Sequence, residues 1–192
     1  MKIIKLKKLP FPRPLVNPTV IAEYAWAAMV GTEGKGAIIE CGVFDGCTTI
    51  QVFWKLLALP YKMDMYAADT FAGFPYSPEN PFVISNLETF GIKPLVGKVE
   101  DTLPKLPKKL KFSFVFCDLD LAVPMEFCVN FFQKRIVKGG IIGFHDYGGN
   151  DQYSGITKVV DDGFGNNKKF EEVVRTKKRG RDGRLIFFEK IK

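Results

Sequence analysis

Short apolar runs alternate with segments of helical periodicity through most of this 192-residue chain. An apolar run bounded by turn residues is typical of a buried strand, and apolar positions three and four residues apart are typical of a helix that buries one face. Strands are predicted at residues 37–41, 65–69, 93–98, 112–118, 140–144, 170–175 and 185–191. Helices are predicted at residues 18–31, between Gly46 and Pro60, and at residues 101–106, 124–135 and 155–163.

The order of these elements predicts an α/β fold. Repeated β-α units are typical of a mainly parallel sheet with helices on both faces, and ligands then bind at the carboxyl ends of the strands. The last two predicted strands flank the sequence TKKRGRDGR, which is typical of a hairpin tip. We therefore expect a Rossmann-like, doubly wound mixed sheet with an antiparallel C-terminal hairpin.

Two stretches fall outside this alternation. Residues 1–16 are rich in Lys and Pro and predict an extended arm, after which Asn17 and Pro18 begin the first helix. Residues 71–91 are rich in Pro, Phe and Asn and predict a long loop with at most one helical turn, and loops of this length are usually functional in compact domains. The aromatic side chains of this loop either cover a bound acceptor or pack as core beneath the loop. They are Phe71, Phe74, Tyr76, Phe82 and Phe90.

Length and composition predict one folded domain. We expect residues 1–192 to form a single unit, with an N-terminal arm and helix at 1–36 and the core at 37–192. Hydrophobic residues make up 46% and charged residues 26%, which excludes a disordered or fibrous chain. The 28 basic against 21 acidic residues give a net charge of +7, which favours an anionic partner such as nucleic acid.

Neither a membrane helix nor a secretory leader is predicted. No stretch approaches about 20 uninterrupted apolar residues, and the first residues lack an apolar leader core, so we expect a cytoplasmic protein. The four cysteines, Cys41, Cys47, Cys117 and Cys128, show no C-x-x-C spacing. The apolar strands around Cys41 and Cys117 favour buried free thiols over zinc ligands or disulfides.

A glycine-bearing turn follows the first strand, from Glu40 to Gly46. Dinucleotide sites need G-x-G-x-x-G for close approach to a pyrophosphate, but Phe44 stands at the middle glycine, and no P-loop lysine follows. With carboxylates at Glu40 and Asp45, the turn suits a cationic ligand such as a sulfonium with an α-amino group. The alternative is an ordinary strand-to-helix turn.

Asp69 ends the second strand, where a carboxylate can accept hydrogen bonds from two ribose hydroxyls. By itself, Asp69 is compatible with both NAD and S-adenosylmethionine. The missing glycine at position 44 favours S-adenosylmethionine.

Five segments resemble the successive motifs of class I S-adenosylmethionine-dependent methyltransferases. They are IIECGVFDGCTT, AADTFAGFP, VGKVEDTLPKLP, FVFCDLDLAVP and KGGIIGFHDYGG, and they cover residues 37–149. The resemblance is closest to the macrocin-type sugar O-methyltransferases and more distant to the catechol O-methyltransferases. It implies a seven-stranded sheet with a reversed final hairpin, which agrees with the hairpin predicted at the end of the chain.

The resemblance also implies where the cofactor binds. The methionine end of S-adenosylmethionine would lie on Glu40, Gly42 and Gly46, and Asp69 would hold the ribose. The adenine would lie beside Val99 and Glu100, with Thr70, Phe71 and Asp118 around the same pocket. Alternatively, Glu100 and Asp101 are acidic residues favoured by the dipole at a helix N-terminus.

Polar side chains also follow the fourth and fifth predicted strands. Asp118 and Asp120 follow the apolar run 112–117, and His145 and Asp146 follow the run 140–144. Charged groups next to buried strands need solvent, a partner or a metal. In the resembling family, a divalent ion such as magnesium is held at the positions of Asp118, His145 and Asp146. Such an ion lowers the pKa of the acceptor hydroxyl and orients it toward the sulfonium methyl group.

This sequence departs from the family pattern at the metal position. The family has an Asp-Asp pair where this chain has His145 and Asp146, and imidazole is a softer ligand than magnesium prefers. His145 is therefore a metal ligand, a general base or a structural histidine. Asp120 is the weakest candidate, since it is also placed to cap the following helix.

The sequence predicts an S-adenosylmethionine-dependent O-methyltransferase with Asp118 and His145 as catalytic residues and a small-molecule hydroxyl, of the sugar or polyol class, as acceptor. One alternative is an RNA methyltransferase that uses the basic residues at 168–184. The other is a binding protein of the same fold without catalysis, and a homodimer is compatible with each.

Overall fold

The fold is a seven-stranded sheet covered by helices on both faces. A computed structural model describes residues 17–62, 64–72, 82–148, 154–175 and 184–192. The strands are β1 Ala37–Cys41, β2 Met65–Asp69, β3 Lys93–Val96, β4 Phe112–Cys117, β5 Ile136–Phe144, β6 Phe170–Arg175 and β7 Ile186–Lys190. The helices are α1 Pro18–Gly31, α2 Cys47–Leu56, α3 Val83–Thr89, α4 Val99–Thr102, α5 Ala122–Phe132 and α6 Ser154–Val160. A 3-10 turn, Leu103–Lys105, extends α4, and a π turn, Asp161–Gly165, extends α6.

The strand order is β3-β2-β1-β4-β5-β7-β6. The first five strands are parallel, and β7 runs antiparallel to both β5 and β6. The predicted mixed sheet with a C-terminal hairpin is therefore confirmed. Because every position of β1 and β4 is buried, these strands form the centre of the molecule, with one apolar core on each face of the sheet.

Several predicted boundaries were wrong for local reasons. Helix α3 lies in the stretch predicted as a loop with at most one helical turn, and at seven residues it is longer than predicted; only Val83 and Leu87 of this helix are buried, too few to create a visible period. Strand β5 begins at Ile136 rather than at residue 140, because the exposed Lys138 and the glycine after it interrupt its apolar run. No helix among the described residues is long and apolar enough to cross a membrane.

Candidate active site

The carboxyl ends of four parallel strands are joined by backbone hydrogen bonds. Gly42 N–H donates to the Ala68 carbonyl at 2.9 Å, and Asp118 N–H donates to the Cys41 carbonyl at 2.8 Å. His145 N–H donates to the Cys117 carbonyl at 2.9 Å. These bonds extend the sheet by one residue beyond β1, β4 and β5, so the glycine turn, Asp118 and His145 lie along one edge.

Gly42 cannot carry a side chain at this edge. Its φ is +84°, and a Cβ atom added to it would lie 1.7 Å from the Asp118 carbonyl oxygen. The turn therefore passes directly over the end of β4. Gly46, also at positive φ, ends the turn and caps helix α2, and the Asp45 carboxylate accepts a hydrogen bond from Cys47 N–H at 2.9 Å.

The Asp69 carboxylate binds the glycine turn. Oδ2 accepts hydrogen bonds from Val43 N–H at 2.6 Å and Phe44 N–H at 3.0 Å. Oδ1 accepts from Phe71 N–H at 2.9 Å and from the Thr70 hydroxyl at 3.3 Å. Asp69 thus links the end of β2 to the turn after β1, and it places Thr70 and Phe71 at the same edge.

Glu40 is a buried carboxyl group below the turn. Its exposed fraction is 5%, and it accepts a short hydrogen bond from the Thr49 hydroxyl of α2. Burial raises the pKa of Glu40 well above its usual range, Thr49 lowers it, and the charges of Asp118 and Asp69 raise it further. These interactions place Glu40 close to both aspartates, although its side chain is not open to solvent.

Val99 and Glu100 lie on the far side of Asp69. They begin helix α4, and Gly97 N–H donates to the Asp69 carbonyl at 2.9 Å just before this helix. Val99 is buried and Glu100 is half-buried. The predicted adenine residues are therefore next to the predicted ribose residue.

His145 lies between two carboxylates. Its Nδ1 atom is 2.9 Å from Asp118 Oδ1 and 3.3 Å from Asp146 Oδ2. Neither contact has the angles of a hydrogen bond, and the buried Nδ1 atom has no hydrogen-bond partner among the described residues. The three donor atoms converge within 4.8 Å of one another.

The charges at this edge are strongly coupled. Burial lowers the pKa of His145, but Asp118 and Asp146 outweigh burial and raise it to about 10. Burial and the charges of Asp118 and Asp146 raise the pKa of Asp120 to about 7. Burial raises the pKa of Asp146, but His145 and Arg184 lower it below its usual value. The two neighbouring carboxylates therefore favour the protonated form of His145.

Sequence reasoning missed Arg184 as a member of this group and ranked Asp120 last. Arg184 Nη1 lies 3.7 Å from Asp146 Oδ1, although the sequence places Arg184 in a basic hairpin tip. Asp120, the weakest candidate, joins the carboxylates and has a φ of +57°. The available signal for Arg184 was its position just before the last strand. Nothing in the local sequence pattern distinguished Arg184 from the other basic residues around it.

Three sequence predictions fall on residues outside the described ones. They are the extended arm at residues 1–16, the loop aromatics Phe74 and Tyr76, and the basic residues between 176 and 183. Among the described loop aromatics, Phe82 is 65% exposed, and Phe90 packs on Phe53 and Trp54 of α2. Phe90 therefore belongs to the core beneath the loop.

A cavity of about 590 Å³ lies at the opposite edge of the sheet, lined by residues including Gly31, Lys138 and Lys190. None of the candidate site residues lines it. The convergence of the strand ends, rather than this cavity, identifies the candidate site.

Solved structures provide the comparison with known proteins. No family model and no curated protein matches this sequence. The O-methyltransferase NovP is 17% identical, with a TM-score of 0.73 over 91% of this chain and 79% of NovP. The calicheamicin methyltransferase CalS11 is 15% identical, with a TM-score of 0.71 over 88% of this chain and 77% of CalS11. An O-methyltransferase from Bacillus cereus, solved in complex with SAH, is 18% identical, with a TM-score of 0.68 over 94% of this chain and 84% of that protein. This chain therefore has the Rossmann-like fold of class I O-methyltransferases, as the sequence motifs predict.

Proposed function

We propose that this chain is an S-adenosylmethionine-dependent O-methyltransferase. Its acceptor would be a hydroxyl group of a small molecule, of the sugar or polyol class. The observation that carries the proposal is the convergence of Glu40, Gly42, Asp69 and Asp118 at one edge of a sheet whose solved neighbours include several O-methyltransferases. One neighbour was solved with SAH, the product that S-adenosylmethionine leaves after methyl transfer.

Asp69 is the proposed ribose ligand. Its four acceptor positions are occupied by three backbone N–H groups and the Thr70 hydroxyl. The bonds from Phe44 and Thr70 involve exposed residues and are the weaker pair at 3.0 and 3.3 Å. Ribose hydroxyls would replace these two bonds, whereas the bonds from Val43 and Phe71 would keep the carboxylate in place.

Glu40 and Gly42 are the proposed contacts of the methionine end. The close passage of Gly42 over Asp118 leaves backbone rather than a side chain facing the ligand. A positively charged α-amino group would stabilise the ionised form of Glu40, which burial disfavours in the free chain. Cofactor binding should therefore be accompanied by proton release from Glu40.

The residues Asp118, His145 and Asp146 fit a divalent metal. Three facts support the fit: the Nδ1 atom is buried, it lacks a hydrogen-bond partner among the described residues, and it lies within 4.8 Å of an oxygen of each carboxylate. One imidazole and two carboxylates suit manganese, iron or zinc better than magnesium. When bound, such an ion would lower the pKa of the acceptor hydroxyl and orient it. Binding must displace the proton of His145, so it should strengthen as pH rises.

The cofactor proposal is tested by calorimetric titration of the chain with S-adenosylmethionine. Asp69→Ala should weaken binding by about 1–3 kcal/mol, because ribose hydroxyls lose their acceptor. Asp64→Ala is the matched control: Asp64 lies just before the amino end of β2 and is half exposed beside Lys93. Absence of binding to the wild-type chain, or equal effects of the two substitutions, would refute the cofactor assignment.

The metal proposal needs a readout that does not depend on the unidentified acceptor. Titration with Mn²⁺, followed by electron paramagnetic resonance, should show one site that is lost in His145→Ala and in Asp146→Asn. Asp162→Asn changes an exposed carboxylate paired with Lys158 and should leave the site intact. Retention of the full Mn²⁺ affinity in His145→Ala would show that the imidazole is not a ligand.

A further inference from the structure

Three cysteines meet in the core beneath the candidate active site. Cys41 ends β1 and Cys117 ends β4, and the two residues are direct partners in the parallel register. Cys128 approaches them from helix α5. The three sulfur atoms lie within 4.8 Å of one another, and each of the three residues is 0% exposed. The sequence predicted buried free thiols for Cys41 and Cys117, but not that three thiols would form a triangle.

The surroundings of this triangle disfavour negative charge. The cysteines belong to an apolar cluster that includes Val115, Met125 and Val129. The charged side chains that act on the thiols are carboxylates, Glu40 on Cys41, Asp118 on Cys117 and Glu100 on Cys128. Burial in this environment raises the pKa of all three thiols well above the usual range. A ligand that leaves thiolate charge uncompensated is therefore unfavourable here.

Charge balance selects the kind of ion that three thiols can hold in this place. Three thiolates with a monovalent or divalent ion leave a net negative charge, and zinc would also require a fourth ligand. Three thiolates with a trivalent ion are neutral. Soft sulfur ligands select thiophilic ions, and As(III) is a trivalent ion of this kind that needs only three sulfur ligands.

We propose that Cys41, Cys117 and Cys128 form a binding site for a trivalent thiophilic ion, represented by As(III). Binding is an exchange without redox change. Arsenous acid, As(OH)₃, loses three As–O bonds as three S–H bonds break, three As–S bonds form, and the three hydroxyl groups leave as water with the three thiol protons. The complex buried in the core is then uncharged.

The sulfur positions are compatible with binding one ion. Bonds of about 2.3 Å from one ion to three sulfurs place the sulfurs about 3.5–4 Å apart. The three sulfurs already lie within 4.8 Å of one another, so one ion can bind them with little rearrangement. Cys41 directly precedes Gly42, and Cys117 directly precedes Asp118, so an ion held by these thiols is linked directly to two of the strand ends that form the candidate site.

The test uses the reduced full chain and arsenite as the probe. After incubation and desalting, mass spectrometry should show one added arsenic atom less three protons, and X-ray absorption at the arsenic edge should show three sulfur neighbours. Absence of arsenic in the folded chain, or oxygen and nitrogen ligands in place of the sulfurs, overturns the proposal. This readout does not depend on S-adenosylmethionine, so it is independent of the proposed function.

Substitutions distinguish the triangle from ordinary thiol reactivity. Cys128→Ala and Cys128→Ser each leave two of the three sulfurs and should weaken arsenite binding at least about tenfold. Cys47→Ala is the matched control, because Cys47 is also buried but belongs to α2 and contacts Gln51 instead. Equal binding by the wild type and both Cys128 variants, or loss of binding in Cys47→Ala, overturns the proposal. If a Cys128 variant does not fold, the count of sulfur neighbours in the wild type still decides.

Discussion

The contact between the glycine turn and β4 makes a sharp prediction for Gly42→Ala. A positive φ costs an L-residue about 1–2 kcal/mol relative to glycine. The new Cβ would also lie 1.7 Å from the Asp118 carbonyl oxygen, a backbone atom that cannot rotate away. Forcing this contact apart adds about 1–3 kcal/mol by comparison with other overpacked sites. The free energy of unfolding should therefore fall by about 2–5 kcal/mol.

Gly91→Ala separates the two contributions. Gly91 has a similar φ of +74°, but nothing lies within 4 Å of its added Cβ. Its substitution should therefore cost only the backbone part, about 1–2 kcal/mol. Urea denaturation followed by circular dichroism measures both variants, and calorimetry with S-adenosylmethionine should show lost affinity for Gly42→Ala alone. The reasoning fails if Gly42→Ala is destabilised no more than Gly91→Ala, or if it binds S-adenosylmethionine like the wild type.

Three further predictions concern buried polar groups. Burial raises the pKa of Glu40, so the contribution of Glu40 to the free energy of unfolding is fully present below about pH 4.5 and declines toward neutral pH. In urea titrations, Glu40→Gln should therefore be more stable than the wild type at pH 7 and no more stable at pH 4. In the same assay, the free energy of unfolding of Ser113→Ala should rise by about 1 kcal/mol, because the buried Ser113 hydroxyl has no hydrogen-bond partner among the described residues. A loss of stability would mean that the hydroxyl does have such a partner. The pKa of His145 is raised to about 10, so the stabilisation that His145 gives the folded chain is complete below about pH 6.5 and disappears as the pH rises through 10. The difference in free energy of unfolding between the wild type and His145→Gln should shrink over that range. A difference that stays constant would contradict the ion pairs.

Much of the site was predictable because its residues occupy strand ends. A carboxylate or glycine directly after an apolar run lies at the edge of a parallel sheet, whichever strands are its neighbours. This rule located Gly42, Asp69, Asp118 and Asp146 from the sequence. It says nothing about which partner each side chain takes, and the hydrogen bonds from Val43 and Phe44 to Asp69 were therefore not foreseen.

The parts that escaped prediction depend on contacts between distant segments. Helix α3 has two buried residues and no cap formed by a side chain, so its position depends on packing rather than on a local signal. Arg184 lies 38 positions after Asp146 in the chain, and only the antiparallel pairing of β5 with β7 brings them together. The cysteine triangle likewise needs β1 beside β4 and α5 across both.

The sequence by itself determined the alternation of strands and helices, the C-terminal hairpin, and the acidic character of the strand ends. It could do so because the periodicity of apolar residues and the residues that end each run are local properties. The tertiary structure alone decided the strand order, the approach of Gly42 to Asp118, the ion pairs around His145, and the meeting of the three thiols. These depend on which strands are neighbours, and neighbours in a sheet are chosen by the packing of the whole core rather than by any one segment.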